Sequence, residues 1–133
     1  MTMYSGIAGA LALGTLAAML VFAMKSRERR RFVADRAIVE LSEQWRELPA
    51  AVQVSEALFC EVIERVGLCY RIEPRLLRAN DSLADLSSLD SWTLSSGEED
   101  MHEWLRSRGI DQVDGRATLQ DIVVLLHKQG LGQ

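Results

Sequence analysis

The chain has 133 residues, a formal net charge of −4 and 48% hydrophobic residues, with two cysteines and two histidines. This length suits one small domain with short additions and excludes a large multidomain protein. Two cysteines are too few for a disulfide scaffold. Nucleic-acid binding is also disfavoured, because basic residues are concentrated only in residues 25–31.

Residues 6–24 form an uninterrupted apolar run without a charged, proline or amide side chain, and Thr15 is its single polar member. As a helix this run is about 28 Å long, close to the ~30 Å hydrocarbon core of a bilayer. We therefore predict that residues 1–24 are a single transmembrane anchor. A cleaved signal peptide, cut after Val21-Phe22-Ala23, would carry its positive charge before the run. A buried core helix would need a larger chain to cover it.

A basic collar follows the apolar run directly, whereas residues 1–3 carry no charged side chain: Lys25, Arg27, Arg29, Arg30 and Arg31. Basic residues remain on the cytoplasmic side of a membrane. We therefore predict a single-pass protein of the cell (inner) membrane, with its N-terminus outside and its C-terminal domain in the cytoplasm. The collar should contact anionic lipid headgroups, while residues 32–133, which carry −8, form an acidic body.

Small residues recur every fourth position within the predicted anchor, at Gly6, Ala10, Gly14 and Ala18. Such a stripe allows two membrane helices to approach closely and predicts a possible homodimer through the anchor. The alternative is that glycine and alanine are simply common in membrane helices, so that the pattern carries no contact.

Residues 25–52 are predicted to form the basic collar and a connecting amphipathic helix. The helix should span residues 26–48 and end before Pro49, whose ring cannot continue a helix. Its apolar stripe follows a helical period: Ala34, Ile38, Leu41, Trp45 and Leu48. The stripe either packs against the following domain or forms a short parallel coiled coil that continues a membrane dimer.

Residues 53–133 are predicted to form a small acidic helical domain. A helix over residues 54–66 should end at Gly67. The stretch 68–96 is irregular but contains too many large apolar residues for a disordered linker. We expect it to fold back onto the helices, with helical turns at residues 74–78 and 82–86.

Two further helices begin with capping boxes, the first at Ser96 and the second at Thr118-Leu-Gln-Asp121. Gly109 and Gly130 should end them. Leu125 is predicted to belong to the buried face of the last helix. No segment alternates with a two-residue period, so the predicted fold class is all-α: a transmembrane helix, a connecting helix and a small helical bundle.

Residues with catalytic or metal-binding potential are few. Cys60 and Cys69 should be reduced thiols in the cytoplasm. The two histidines, His102 and His127, lie on different predicted helices, so we predict no metal site. Acidic residues at the start of the third bundle helix are explained by helix capping. With no phosphate-binding loop or nucleophile elbow, the residues predict no catalytic site, and we expect that the protein is not an enzyme.

The order of signals from residue 58 to residue 128 resembles that of an acyl carrier protein. A helix ending in VIERVG precedes an IEP segment, then NDSLADLSSLDSW, a helix, and a final helix that opens with TLQDIVVLL. The resemblance implies a carrier-like helical bundle in which Ser91, after Asp90, would carry 4′-phosphopantetheine. Trp92 stands where carriers usually have leucine. Without this role Ser91 is a turn or cap residue.

Two functions follow from these patterns. The preferred one is a non-catalytic, membrane-anchored interaction protein, which needs no cofactor and binds a protein partner of unknown identity. The alternative is a membrane-tethered acyl carrier with 4′-phosphopantetheine on Ser91.

Overall fold

The computed structural model describes the backbone of residues 2–89 and 96–131 and the side chains of residues 9–89 and 97–130. In these ranges the elements are α1 (Thr2–Ala34), α2 (Leu41–Arg46), α3 (Glu56–Tyr70), a 3₁₀ helix (Pro74–Leu76), α4 (Leu83–Leu89), α5 (Ser96–Ser107) and α6 (Leu119–Leu131). The described residues contain no β-strand, although an isolated bridge joins Ser82 to Thr118. The predicted all-α class is confirmed.

Helix α1 stands apart from the bundle over most of its length. Its large apolar side chains are 43–70% exposed: Leu11, Leu13, Leu16, Met19, Leu20, Val21, Phe22 and Met24. Among the described residues it is the one helix that is long and apolar enough to cross a membrane.

The predicted single connecting helix over residues 26–48 is wrong. α1 continues to Ala34, residues 35–40 are not helical, and the short α2 follows. The Val39 N–H donates to the Arg75 carbonyl at 3.1 Å, and the Arg78 guanidinium donates to the Ala37 carbonyl. These contacts with a distant segment replace the hydrogen bonds that a continuous helix would make.

The short helix α2 places much of the predicted apolar stripe against the bundle. Leu41, Trp45 and Leu48 pack on the core, and the Trp45 indole N–H donates to the Val54 carbonyl at 2.9 Å. Ile38, in the break between α1 and α2, is 56% exposed instead.

Helix α3 is the centre of the bundle and packs on both α5 and α6. Its N-terminus is capped by Ser55, whose hydroxyl accepts from the Leu58 N–H. The predicted stop at Gly67 is wrong, because the helix continues to Tyr70. A Cβ atom on Gly67 would lie 2.7 Å from the Ile72 carbonyl oxygen and 2.9 Å from Pro74 Cγ. Glycine is therefore needed here for the close approach of the returning chain.

The stretch after α3 folds back onto the helices, as predicted. The 3₁₀ helix and α4 supply the two expected helical turns. The apolar side chains of this stretch join one core together with those of α3, α5 and α6. Trp104 is only partly buried, whereas several other large ones are fully buried: Phe59, Ile63, Leu77, Leu86, Met101, Leu105, Leu119 and Ile122. Trp92 and Leu94 lie outside the described residues.

The last two helices begin where predicted. α5 starts at Ser96 and is followed by Gly109, which has a φ of +88°. The capping box of α6 is present, since the Thr118 N–H donates to Asp121 at 3.0 Å and the Asp121 N–H donates to the Thr118 hydroxyl at 3.2 Å. Two details were wrong: α6 includes Gly130, and Leu125 is 41% exposed.

Candidate functional site

The most elaborate polar arrangement in the described chain is the junction between α1 and the bundle. The last turns of α1 pack against α4, and Phe32 contacts the edge of the core. Arginines from α1 and from the residues just after it bind groups of the bundle more than forty positions later. The junction thus joins the exposed apolar helix to the folded domain by specific contacts.

Arg29 closes the C-terminal end of α3. Its guanidinium donates to the Tyr70 carbonyl at 2.7 Å and also to the Arg71 carbonyl. The final carbonyls of a helix lack partners within the helix and carry the negative end of its dipole. A cation at this position therefore satisfies both the hydrogen bonding and the charge of the helix end.

Arg36 and Asp81 form the second contact of the junction. Arg36 Nη1 and Nη2 lie 2.6 and 2.7 Å from the two oxygens of the Asp81 carboxylate, a bidentate geometry that is both strong and directional. Asp81 is buried and also accepts from the Arg78 N–H at 2.7 Å. The Arg36 guanidinium lies 3.7 Å from the centre of the Phe32 ring. Together these groups fix the direction in which the chain leaves α1.

The predicted collar is divided by this arrangement. Arg29 is bound to the bundle, whereas Arg27, Arg30 and Arg31 are exposed and Lys25 is half-exposed. Among the described residues these four side chains have no ion-pair partner, and Arg30 makes only a long hydrogen bond of 3.4 Å to the Ser26 carbonyl. Four of the five residues are thus available to an anionic partner.

The small-residue stripe lies along the exposed part of α1. Ala10 is exposed, Ala18 is half-exposed, and a Cβ atom on Gly14 would meet nothing within 4 Å. Gly6 belongs to the part of α1 of which only the backbone is described. Ala10 and Gly14 are uncovered in the single chain, and dimerisation through the stripe stays a prediction.

A cavity of about 140 Å³ lies where α3, α4 and α5 meet. On its polar side the Tyr70 hydroxyl is 3.1 Å from the Ser87 hydroxyl, and His102 Nε2 is 3.7 Å from a Glu98 oxygen. Leu83 and Met101 contribute to its apolar wall. The predicted attachment residue Ser91 lies in the gap between α4 and α5, outside the described residues.

Both cysteines are free thiols on α3. Burial raises the pKa of the Cys60 thiol, and the carboxylates of Glu56 and Glu64 raise it further. Burial likewise raises the pKa of the Cys69 thiol, with a further increase from Asp100 and a partial offset from Arg65. A raised pKa leaves less of the reactive thiolate at neutral pH.

Metal-binding potential is also low where side chains are described. In that part of the chain no three His, Cys, Asp or Glu residues come together in a way that could hold a metal ion.

Sequence reasoning missed the junction because its partners are distant in the chain. In the sequence Asp81 stands between the polar residues Asn80 and Ser82, and Arg36 is one of several charged residues beside the apolar stripe that begins at Ala34. Nothing in their spacing shows that they form an ion pair. The one available signal was an acidic residue within a stretch otherwise rich in buried leucines, because such a residue requires a partner.

The chain was compared with protein-family models, with curated proteins and with solved structures. No family model, curated protein or solved structure matches it.

Proposed function

We propose that this chain is a non-catalytic single-pass protein of the cell membrane that holds an acidic helical bundle at the cytoplasmic face and presents it to a protein partner. The observation that carries the proposal is the junction of Arg29 and Arg36 with the bundle, directly after a helix whose apolar side chains are uncovered. Water is a poor environment for that helix, and a bilayer is a suitable one.

The junction supports an oriented tether. A flexible linker would restrict only the distance of the bundle from the membrane. Two arginine contacts, one to a helix end and one to a buried carboxylate, also restrict its direction. A tethered and oriented binding surface meets a membrane-associated partner at a higher effective concentration than a free one.

The orientation across the membrane is tested by thiol labelling of intact cells with a membrane-impermeant maleimide. Cys60 and Cys69 should be labelled only after the cells are permeabilised. A Thr2→Cys variant, in which Cys60 and Cys69 are replaced by Ala, should be labelled without permeabilisation. Labelling of Cys60 or Cys69 from outside would overturn the proposed topology.

The adaptor role is tested by placing a photo-crosslinking residue at the exposed Leu125 of the bundle. A discrete adduct should form in the full-length protein and be lost when residues 1–24 are deleted. It should return when an unrelated transmembrane helix replaces those residues, because tethering is what raises the effective concentration. An adduct that is equally strong without any anchor would contradict the role of the tether.

A second candidate, a membrane-tethered acyl carrier, is favoured by the cavity between α3, α4 and α5, because α4 and α5 are the helices that precede and follow Ser91 in the chain. The Tyr70 and Ser87 hydroxyls and the apolar Leu83 and Met101 side chains suit a flexible arm that has both polar and apolar parts. When attached, 4′-phosphopantetheine would supply a thiol that carries an acyl or aminoacyl group as a thioester.

Intact-mass measurement after co-expression with a phosphopantetheinyl transferase separates the two candidates. A carrier gains the mass of one 4′-phosphopantetheine group and loses this gain in Ser91→Ala, but keeps it in the matched control Ser87→Ala. A chain that stays unmodified excludes the carrier and leaves the adaptor.

A further inference from the structure

The C-terminal end of α3 lies beside the basic collar. Its distance from the hydrocarbon core of the membrane can be estimated along α1. Arg29 follows Met24 by five residues, about 7.5 Å at 1.5 Å per residue. The headgroup layer on each side of a bilayer is roughly 5–8 Å thick. Because Arg29 binds the carbonyls of Tyr70 and Arg71, these backbone groups come to the level of the headgroups when residues 6–24 span the hydrocarbon core.

Arg71 is an exposed cation at the C-terminal end of α3. Its side chain is exposed, and among the described residues its guanidinium has neither an ion-pair partner nor a hydrogen-bond acceptor. The neighbouring arginines are engaged: Arg75 pairs with Glu73 at 2.8 Å and with Glu40 at 3.1 Å, and Arg78 binds three backbone carbonyls.

The structural roles available to Arg71 are already filled. Arg29 neutralises the C-terminal end of α3, so Arg71 is not needed there as a cation. Arg71 also takes a left-handed conformation, with a φ of +57°, that glycine adopts most readily at the end of a helix. Neither the dipole nor the turn explains an arginine at this position.

Electrostatics indicate what such a cation binds. The acidic body of the chain is repelled by an anionic membrane surface, whereas each basic residue near that surface is attracted to it. A guanidinium also matches the geometry of a phosphate group. Arg71 is an exposed guanidinium beside the Arg29 contact, and Arg27, Arg30 and Arg31 lie within two residues of Arg29 along α1, at a similar height above the hydrocarbon core.

We infer that Arg71 extends the basic collar into a composite binding site for the headgroups of anionic phospholipids, which rests the C-terminal end of α3 on the membrane surface. This inference depends on the membrane anchoring proposed above. It adds a lipid contact made by the bundle itself to the contacts made by α1.

The test uses the full-length protein in lipid nanodiscs made of neutral lipid or of neutral lipid with about a third of phosphatidylserine. Cys69 lies two residues before Arg71 and reports on this end of α3, whereas Cys60, nine residues earlier, is the internal reference. The rate of alkylation by a bulky uncharged maleimide, which anionic lipid does not repel, is measured at both thiols. Anionic lipid should slow alkylation of Cys69 relative to Cys60 by about fivefold, the attraction of one basic residue to an anionic surface.

Two variants test the role of Arg71. Arg71→Gln should abolish the slowing and Arg71→Lys should retain it. The matched control is Arg106→Gln, which removes the same charge from α5, far from the C-terminal end of α3. Arg106 lies near the end of α5, where Arg108 pairs with Glu61, and Glu61 is ten residues or roughly 15 Å along α3 from Arg71. Arg106→Gln should therefore behave as the unchanged protein.

The other outcomes overturn the inference. Equal slowing in neutral nanodiscs, or unchanged slowing in Arg71→Gln, would show that Arg71 does not bind an anionic headgroup. Slowing produced by millimolar inorganic phosphate in neutral nanodiscs would assign the site to a soluble anion instead of a lipid. Failure of the protein to co-elute with nanodiscs would instead refute the membrane anchoring, so the two failures are distinguishable.

Discussion

The apolar part of α1 and the helical bundle differ in how far they bury the same type of side chain, as Leu13 on α1 and Leu105 on α5 show. Leu13 is 70% exposed, and Leu105 is 1% exposed. The bundle covers most of its leucines, with Leu68 and Leu125 as exposed exceptions, because each of its helices has one apolar face that packs against a neighbour. The apolar part of α1 has no polar face and no neighbour over most of its length. An apolar helix of this kind requires lipid or another chain as its environment.

The largest expected effect within the protein is the loss of a core side chain. Phe59→Ala removes a fully buried ring from the centre of α3 and should lower the free energy of unfolding by about 4 kcal/mol. Leu13→Ala should change it by less than about 0.5 kcal/mol in the same assay, because the Leu13 side chain is largely exposed. Urea unfolding of the detergent-solubilised chain, followed by circular dichroism, measures both. A similar decrease in the free energy of unfolding in both variants would contradict the difference between α1 and the bundle.

The next largest effect is expected when a charge is placed in the apolar part of α1. Leu16→Arg should oppose membrane insertion by about 3 kcal/mol, because a charged side chain at the centre of a membrane helix is costly. The fraction that resists alkaline carbonate extraction should fall accordingly. Leu125→Arg adds the same charge to an exposed position of α6 and should leave the membrane fraction unchanged. If α1 served only as a soluble helix, the two variants would fractionate alike.

A smaller effect is expected at Gly67 in α3 and Gly130 in α6. Gly67→Ala should destabilise the bundle by about 2 kcal/mol, because the added methyl group meets the Ile72 carbonyl and Pro74. Gly130→Ala meets nothing within 4 Å and should stabilise α6 by up to about 1 kcal/mol. In thermal unfolding, the melting temperature should fall in Gly67→Ala and rise in Gly130→Ala. Stabilisation by Gly67→Ala would show that the close approach after α3 is absent.

The smallest effect concerns the thiols of α3. Because burial raises their pKa above the ordinary value of 9.0, the thiolate fraction at any pH below 9 is reduced. Alkylation rates of Cys60 and Cys69 should therefore reach half their maximum above pH 9. In concentrated urea, where burial is lost, the half-maximum should shift to lower pH. Identical pH profiles in both conditions would mean that α3 does not shield these thiols.

Much of the fold was predictable because it is encoded in local patterns. The capping box at Thr118 and Asp121 needs only residues three positions apart, and it forms as expected. The apolar faces of α3 and α6 follow from helical periodicity, which a sequence shows directly. The errors at Gly67 and Gly130 arose because glycine at a helix end and glycine at a close contact look identical in sequence.

The junction could not be predicted, since it depends on pairing across more than forty residues. The sequence identified the collar, but not that Arg29 and Arg36 would bind the bundle. The break at residues 35–40 has the same origin. Local propensity favours a helix there, but the hydrogen bond that Val39 donates to the Arg75 carbonyl and the one that Arg78 donates to the Ala37 carbonyl favour an extended chain.

The sequence by itself determined that this protein has a continuous apolar helix followed by positive charge, and that the rest is helical and acidic. Those properties depend on composition and on short spacings along one chain. The tertiary structure alone decided which arginines bind the bundle and which stay free, where α1 ends, and why Gly67 is a glycine. These depend on which distant backbone groups come within hydrogen-bonding or van der Waals distance after folding.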